Sequence, residues 1–138
     1  ITAVSGGVFW RLMIGTVVML AAGYMGEAGY INTMLGFVVG MVGWAYILYE
    51  IFLGEAGKVA AEKAPASVQS AFSTMRWIVT IGWAIYPLGY FMGYFGGLGV
   101  EESANALNII YNLADVLNKI AFGVIIWNVA VTESDASK

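Results

Sequence analysis

The sequence has no cysteine and no histidine among its 138 residues. Disulfide bonds are therefore excluded, and a structural zinc site is not expected because its usual ligands are absent. Charged residues are also scarce, at 11% of the chain compared with roughly 25% in a typical soluble domain. A net charge of −3 without a basic run argues against a nucleic-acid-binding surface. The hydrophobic content of 60% indicates an integral membrane protein embedded in a lipid bilayer.

Four apolar segments, separated by short polar or glycine-rich breaks, are each long enough to cross a hydrocarbon layer of about 30 Å as a helix. These spans run from about Val8 to Gly26, Tyr30 to Leu53, Val68 to Phe95 and Ala104 to Val131. Nothing in the sequence resembles a second, soluble domain. We therefore predict an all-α membrane helical bundle with four transmembrane helices in this chain.

The breaks between the spans predict turns and a connector. The turn at Gly26–Gly29 is very short, so the first two spans should be antiparallel neighbours. Gly36, Gly40 and Gly43 in the second span form a small-residue stripe that should face another helix. The polar stretch from Gly54 to Ala66 is predicted to be a connector, and Gly96–Gly99 a turn. Ser103 is predicted to be the N-cap of the fourth span.

The distribution of basic residues predicts the orientation in the membrane. Five of the six fall on one side if the spans alternate in direction: Arg11, Lys58, Lys63, Arg76 and Lys138. The two loops on the other side contain Glu27, Glu101 and Glu102 and no basic residue. Because basic residues favour the cytoplasmic side, we expect the C-terminus to be cytoplasmic. The chain begins at Ile1 without an initiator methionine or a signal-peptide pattern, and we expect it to be part of a longer protein.

The fourth span carries two charges, Asp115 and Lys119, near its middle. They lie four residues apart on one helical face, and Asn108, Tyr111 and Asn112 continue that face. A charge at this depth costs roughly 2.5 to 3.5 kcal/mol on insertion scales, so such residues usually mark a functional site. One interpretation is a structural ion pair that neutralises itself inside a bundle. The other is a lysine that forms a Schiff base with a carbonyl compound, with the aspartate as its counter-charge.

A second group of residues lies on one face of the third span. Its members are Trp83, Tyr86, Pro87 and Tyr90. The proline should kink the helix. An aromatic stripe can simply pack, but the phenol of Tyr86 needs a polar partner at membrane depth, and Asp115 is the obvious acceptor. Trp83 and Tyr90 would then wall a flat apolar slot that leads to Lys119 and suits a long conjugated ligand.

Several stretches of the sequence resemble the microbial rhodopsins, and within them most closely the proteorhodopsins. In the third and fourth spans they are Trp83–Pro87 (WAIYP), Asn112–Lys119 (NLADVLNK) and Phe122–Ala130 (FGVIIWNVA). The turn Gly23–Gly29 (GYMGEAG) is similar to the connection between the fourth and fifth helices of the same family. The resemblance covers essentially the whole chain. It implies that the four spans are the fourth to seventh helices of a seven-helix rhodopsin fold.

The resemblance also implies a role for each site residue. Lys119 matches the lysine that binds all-trans retinal as a protonated Schiff base, and Asp115 matches the last-helix member of its counterion complex. Tyr86 is expected to hydrogen-bond Asp115. The residues that match the walls of the retinal pocket are Trp83, Tyr86, Pro87 and Tyr90, and also Met19, Gly23 and Trp44.

The implied activity is that of a light-driven outward proton pump in the inner membrane of a bacterium, and not that of an enzyme. The family's first three helices, which supply the proton acceptor and donor, have no counterpart here and are expected to be a partner. A homo-oligomer is also expected, since proteorhodopsin-like proteins commonly form rings. Three alternatives stay open: a light sensor, a chloride or sodium pump of the same family, and a non-photochemical transporter or channel subunit with a structural Asp–Lys pair.

Overall fold

The computed structural model of the chain describes residues 4–96 and 100–136. Within these ranges all regular structure is helical, which confirms the all-α prediction. The helices are α1 (Gly6–Glu27), α2 (Thr33–Phe52), α3 (Glu55–Lys63), α4 (Ala66–Trp77), α5 (Trp83–Phe95) and α6 (Val100–Ala136). A π-helical segment, Ile78–Gly82, joins α4 to α5, and we call it the π turn.

Four helical stretches of the described chain are long and apolar enough to cross a membrane, which confirms the predicted number of spans. They are Gly6–Glu27, Thr33–Lys63, Ala66–Phe95 and Leu107–Ala136. The second begins three residues later than predicted because the Asn32 side chain accepts a hydrogen bond of 3.1 Å from the Leu35 N–H and so caps α2.

Of two local predictions, the connector is present but partly helical, and the N-cap of the last helix was wrong. The predicted connector contains α3, a short helix that the Ala-rich sequence favours, with an acidic residue in its first turn and Lys63 in its last. Ser103 is not the N-cap of the last helix, because α6 already begins at Val100. That start places two glutamates in the first turn, where acidic residues favour a helix N-terminus. The predicted turn at Gly96–Gly99 falls mostly outside the described residues.

The chain forms two compact units, Ile1–Lys63 and Ala64–Lys138. In the first unit, α1 and α2 are antiparallel and their backbones touch at glycines. A Cβ atom added at Gly36 would lie 2.7 Å from the Gly26 Cα atom, and one at Gly43 would lie 2.8 Å from the Met19 nitrogen. The predicted glycine stripe of α2 therefore faces α1, and a larger residue at these positions would force the helices apart.

A partly buried ion pair closes one end of this first unit. Glu50 is 3% exposed, and its carboxylate accepts bonds from Arg11 Nε at 3.2 Å and Nη2 at 3.1 Å. The same carboxylate accepts the Ala56 N–H at 3.2 Å, and Arg11 also contacts Glu55 at 2.6 Å. Because the partners are 39 and 44 residues apart along the chain, this cluster fixes the end of α2 and the start of α3 against α1.

In the second unit, α4, the π turn and α5 pack along α6. Glycines of α5 make room for side chains of α6. A Cβ atom added at Gly89 would lie 2.7 Å from the Tyr111 hydroxyl, and one added at Gly93 would lie 2.5 Å from Leu107 Cδ1. Near the other end, the Ser67 hydroxyl donates to the Glu133 carboxylate. Contacts along both halves of α6 therefore hold this unit together.

Replacing Gly89 by alanine should destabilise the second unit, because the new methyl group would overlap Tyr111 and Leu107. Overpacking of this kind costs about 1 to 3 kcal/mol. Gly123→Ala is the matched control, since nothing lies within 4 Å of a Cβ at that position; there alanine should stabilise the helix by about 0.5 to 1 kcal/mol. The free energy of unfolding in detergent checks both values. Equal effects of the two substitutions would contradict the packing described here.

Candidate functional site

The three polar side chains predicted to meet in the membrane do so. Tyr86 on α5 donates its hydroxyl to Oδ1 of Asp115 on α6, as the sequence predicts. Lys119, one turn later on α6, donates from Nζ to Oδ2 of the same carboxylate. Each carboxylate oxygen therefore has its own donor, one from a neighbouring helix and one from the same helix. This fixes the plane of the carboxylate beside the amine.

A second layer of hydrogen bonds holds Tyr86 in place. The Tyr111 hydroxyl donates to the Tyr86 carbonyl at 3.0 Å, and the two rings lie 5.5 Å apart and tilted by 35°. One turn away, Asn118 Nδ2 donates to the Gly82 carbonyl at 3.1 Å. The side chains of α6 thus bond the backbone of the opposite helix on both sides of Trp83.

Sequence reasoning missed the roles of Tyr111 and Asn118. It placed Tyr111 on the Asp115 face, and the structure shows that this face contacts α5 at Tyr86, which both Asp115 and Tyr111 hydrogen-bond. A signal was available: Tyr111 and Asn118 are seven residues apart, and so are Gly82 and Gly89 on the opposite helix. Matched spacings of this kind indicate two helices whose large and small residues interlock.

The face of α6 that carries Lys119 is exposed. The Lys119 side chain is 75% exposed and the Asp115 side chain 41%. Asn112 and Asn108, one and two turns before Asp115, are exposed as well. A polar surface in a membrane-spanning helix normally faces a protein interior or a water-filled cavity, not lipid. This face is therefore where additional protein or a ligand would be accommodated.

The remaining residues predicted for the pocket in this unit lie on α5. Trp83, its first residue, is half-buried and its N–H bonds the Ile78 carbonyl, while Pro87 sits inside the helix. Tyr90 is buried, with its ring 4.6 Å from that of Tyr94 and 6.5 Å from that of Phe95. The backbone irregularity near the predicted proline kink is the π turn, which the sequence analysis did not predict.

The other unit holds Met19, Gly23 and Trp44. Met19 and Trp44 are half-buried, and the Met19 backbone packs against α2 at Gly43. Gly23 has open space beside it: no atom lies within 4 Å of a Cβ built there. Its small size is therefore not explained by a helix contact among the described residues, and it leaves room for another group.

A groove also lies between α4 and α6. It has a volume of about 390 Å³ and is lined by Ser67, Ser70, Ala71, Thr74, Val124, Ile125, Asn128, Val129 and Thr132. The hydroxyls of Thr74 and Thr132 donate to carbonyls of their own helices, at 3.1 and 2.8 Å. No charged side chain lines the groove, and the described residues include no cluster of three potential metal ligands. The Tyr86–Asp115–Lys119 cluster is therefore the candidate site.

Two proteorhodopsins are similar to this chain over almost all of its length. It is 54% identical over 133 residues to the green-light absorbing proteorhodopsin of Gamma-proteobacterium EBAC31A08, covering 96% of this chain and 52% of that protein. It is 52% identical over 134 residues to the blue-light absorbing proteorhodopsin of Gamma-proteobacterium Hot 75m4, again covering 96% and 52%. The chain thus spans about half the length of these curated relatives.

Two solved structures share its architecture. The crystal structure of Exiguobacterium sibiricum rhodopsin superposes with a TM-score of 0.85 at 34% identity, covering 98% of this chain and 63% of that one. Blue light-absorbing proteorhodopsin from Med12 gives 0.74 at 51% identity, covering 92% and 56%. Residues 2–133 match the family model described as bacteriorhodopsin-like protein. The resemblance found in the motifs is confirmed, and the chain belongs to the bacteriorhodopsin-like family.

Proposed function

We propose that this chain is the retinal-binding part of a light-driven pump that moves protons outward across the inner membrane of a bacterium. The observation that carries the proposal is the Tyr86–Asp115–Lys119 cluster, an amine beside a carboxylate with both oxygens hydrogen-bonded, on the exposed face of a membrane-spanning helix. The names of the relatives, green- and blue-light absorbing proteorhodopsins, support the same activity.

The residues of the cluster fit an aldehyde such as retinal. Lys119 Nζ lies on an exposed side chain and can reach a carbonyl carbon. In the proposed linkage the Lys119 ammonium and the aldehyde would form a carbon–nitrogen double bond, two ammonium protons would leave with the aldehyde oxygen as water, and the third would stay on the nitrogen, which keeps its positive charge. Asp115 supplies the compensating negative charge, and the Tyr86 hydroxyl keeps that carboxylate turned toward the nitrogen.

The pocket proposed for all-trans retinal consists of the residues that match the walls of the family's retinal pocket. Its residues are Met19, Gly23, Trp44, Trp83, Tyr86, Pro87 and Tyr90. Flat aromatic rings suit a conjugated chain because they offer large apolar contact areas. The open space beside Gly23 suits a bulky end group. Retinal, when bound, supplies light absorption and an isomerisation that displaces the Lys119 nitrogen.

Outward pumping then requires that Lys119 release and regain one proton on opposite sides of the membrane. Asp115 stays ionised as the electrostatic partner of the nitrogen, so the released proton goes to an acceptor outside this chain. The nitrogen regains a proton from the inner side. Direction depends on a switch in access between the two transfers, and Pro87, which weakens the helix backbone, allows the third span to tilt for that switch.

The exposed polar face of α6 supports a bundle with more helices than these four. Asn108 and Asn112 lie exposed beside Asp115 and Lys119, and each polar group left in lipid costs several kcal/mol. We infer that three N-terminal helices, on this or a separate chain, cover the face and provide the proton acceptor and donor. The relatives, about twice as long as this chain, support this. A cytoplasmic C-terminus and a homo-oligomer complete the proposal.

The first test is the visible spectrum of the seven-helix assembly supplied with retinal. We expect a visible absorption band, and we expect Lys119→Ala to abolish it because the reacting amine is gone. Lys63→Ala, on α3, is the control and should keep the band. Folded wild-type material that takes up retinal without a visible band would refute the proposal, and Asp115 and Lys119 would then be a structural ion pair.

The second test distinguishes ion identity and direction. Illuminated cells that contain the complete protein should acidify their medium, and a protonophore should abolish the change because protons themselves are transported. Cells with the Lys119→Ala variant are the negative control and should show no light-driven pH change. A pump for chloride or sodium would instead give alkalinisation that the protonophore increases, and a sensor would give no sustained pH change. Either result, recorded with a glass electrode, would contradict proton pumping.

A further inference from the structure

Two side chains of α6 hydrogen-bond the backbone of the neighbouring helix, and one of them, Asn118, also hydrogen-bonds the Tyr86 side chain. Tyr111 donates to the Tyr86 carbonyl at 3.0 Å, and Asn118 donates to the Gly82 carbonyl at 3.1 Å. In a regular α-helix every interior carbonyl is already used by the N–H four residues later. A carbonyl oxygen has a second lone pair, so a side-chain donor can add to that bond, and such support matters most where the helix's own hydrogen bonding is weakened.

The backbone around Gly82 is weakened in two ways. Gly82 is the last residue of the π turn, where the Trp83 N–H bonds the Ile78 carbonyl five residues earlier instead of four. Pro87 has no N–H, so one further backbone bond is missing a turn later. In membrane helices such defects are stabilised by polar groups of neighbouring helices. Asn118 supplies that group at the π turn.

The fit between Asn118 and Gly82 is close enough to be specific. A Cβ atom at Gly82 would lie 2.3 Å from the Asn118 Oδ1 atom and 3.3 Å from Nδ2. Any larger residue at position 82 would therefore displace the amide. The half-buried Asn118 side chain lies directly against the backbone of the π turn, a contact that only glycine permits.

Asn118 is also the residue before Lys119, the proposed site of retinal attachment. Successive residues of a helix project about 100° apart, so Lys119 faces Asp115 while Asn118 faces the π turn. The two residues are joined by one peptide bond. A displacement of the backbone at Lys119 therefore also moves Asn118, whose side-chain amide bonds the Gly82 carbonyl.

We propose that Asn118 is a positioning residue that couples the Lys119 segment of α6 to the π turn, so that movement of the lysine is passed to the helix Ala66–Phe95. The proposal rests on the proposed function, because it needs a displacement of the lysine nitrogen by light. It assigns the origin of the helix tilt to the weakened stretch from Ile78 to Pro87 and its trigger to the amide of Asn118.

The absence of cysteine from the sequence makes a direct test possible. Spin labels on Ala66→Cys in α4 and Val131→Cys in α6, both at exposed positions, report the distance between these helices in the retinal-loaded seven-helix protein in lipid. We expect illumination to change this distance in the otherwise wild-type protein. Asn118→Leu, which keeps the size but removes the donor, should reduce the change by at least half and keep the visible band.

Two further substitutions make the outcome decisive. Gly82→Ala displaces the same amide from the other side and should give the same loss, whereas Asn128→Leu, three turns further along α6, should leave the change intact. Asn118→Ala replaces the leucine variant if that variant does not assemble. A visible band with an undiminished distance change in the Asn118 variant, or no light-induced change in the wild type, would overturn the coupling. A wild-type protein without a visible band would instead refute the proposed function.

Discussion

The carboxylate of Asp115 is the group on which the rest of this site depends. It is a charge inside a membrane-spanning helix, a position that costs roughly 2.5 to 3.5 kcal/mol on insertion scales unless the charge is compensated. Lys119 and Tyr86 compensate it, one oxygen each, and Tyr111 in turn fixes the backbone of Tyr86. The chain thus builds a fixed negative charge beside an amine that stays accessible, which is the arrangement needed to hold a cationic linkage in lipid.

The last helix uses two faces for two purposes. One face carries Tyr111 and Asn118, which lock into the glycines and carbonyls of the preceding helix. The adjacent face carries Asp115 and Lys119 and stays exposed in the described chain. Packing against the preceding helix therefore uses the first face, and the Lys119 side chain on the second remains exposed. The polar residues of α6 therefore exceed what the Asp115–Lys119 ion pair alone requires, because Tyr111 and Asn118 also hold the helix against its neighbour.

Much of the fold follows from composition and spacing. The four apolar spans, the glycine stripe of α2 and the bond from Tyr86 to Asp115 were all predictable, because a membrane leaves few alternatives for long apolar segments and for isolated polar groups. The π turn was not predictable, since no residue type specifies a π-helical segment. The pair of Arg11 and Glu50 was missed because the two residues are 39 positions apart and each looked like an ordinary charge at a helix end.

The seven-residue spacings of Gly82 with Gly89 and of Tyr111 with Asn118 were only partly predictable. They are visible in the sequence, but the contacts between them are known only once the two helices are placed side by side. The stretches that resemble a family, WAIYP and NLADVLNK, predict roles for Asp115 and Lys119 that no periodicity predicts, since the reactivity of a lysine depends on neighbours that spacing alone does not identify.

The measurement that tests the central claim most directly is the site of covalent attachment. Borohydride reduction of the retinal-loaded assembly, followed by proteolysis and mass spectrometry, locates the modified residue. The account predicts a retinyl adduct on Lys119 and on no other lysine. An adduct on a different residue, or an unmodified Lys119 in material that has bound retinal, would contradict it.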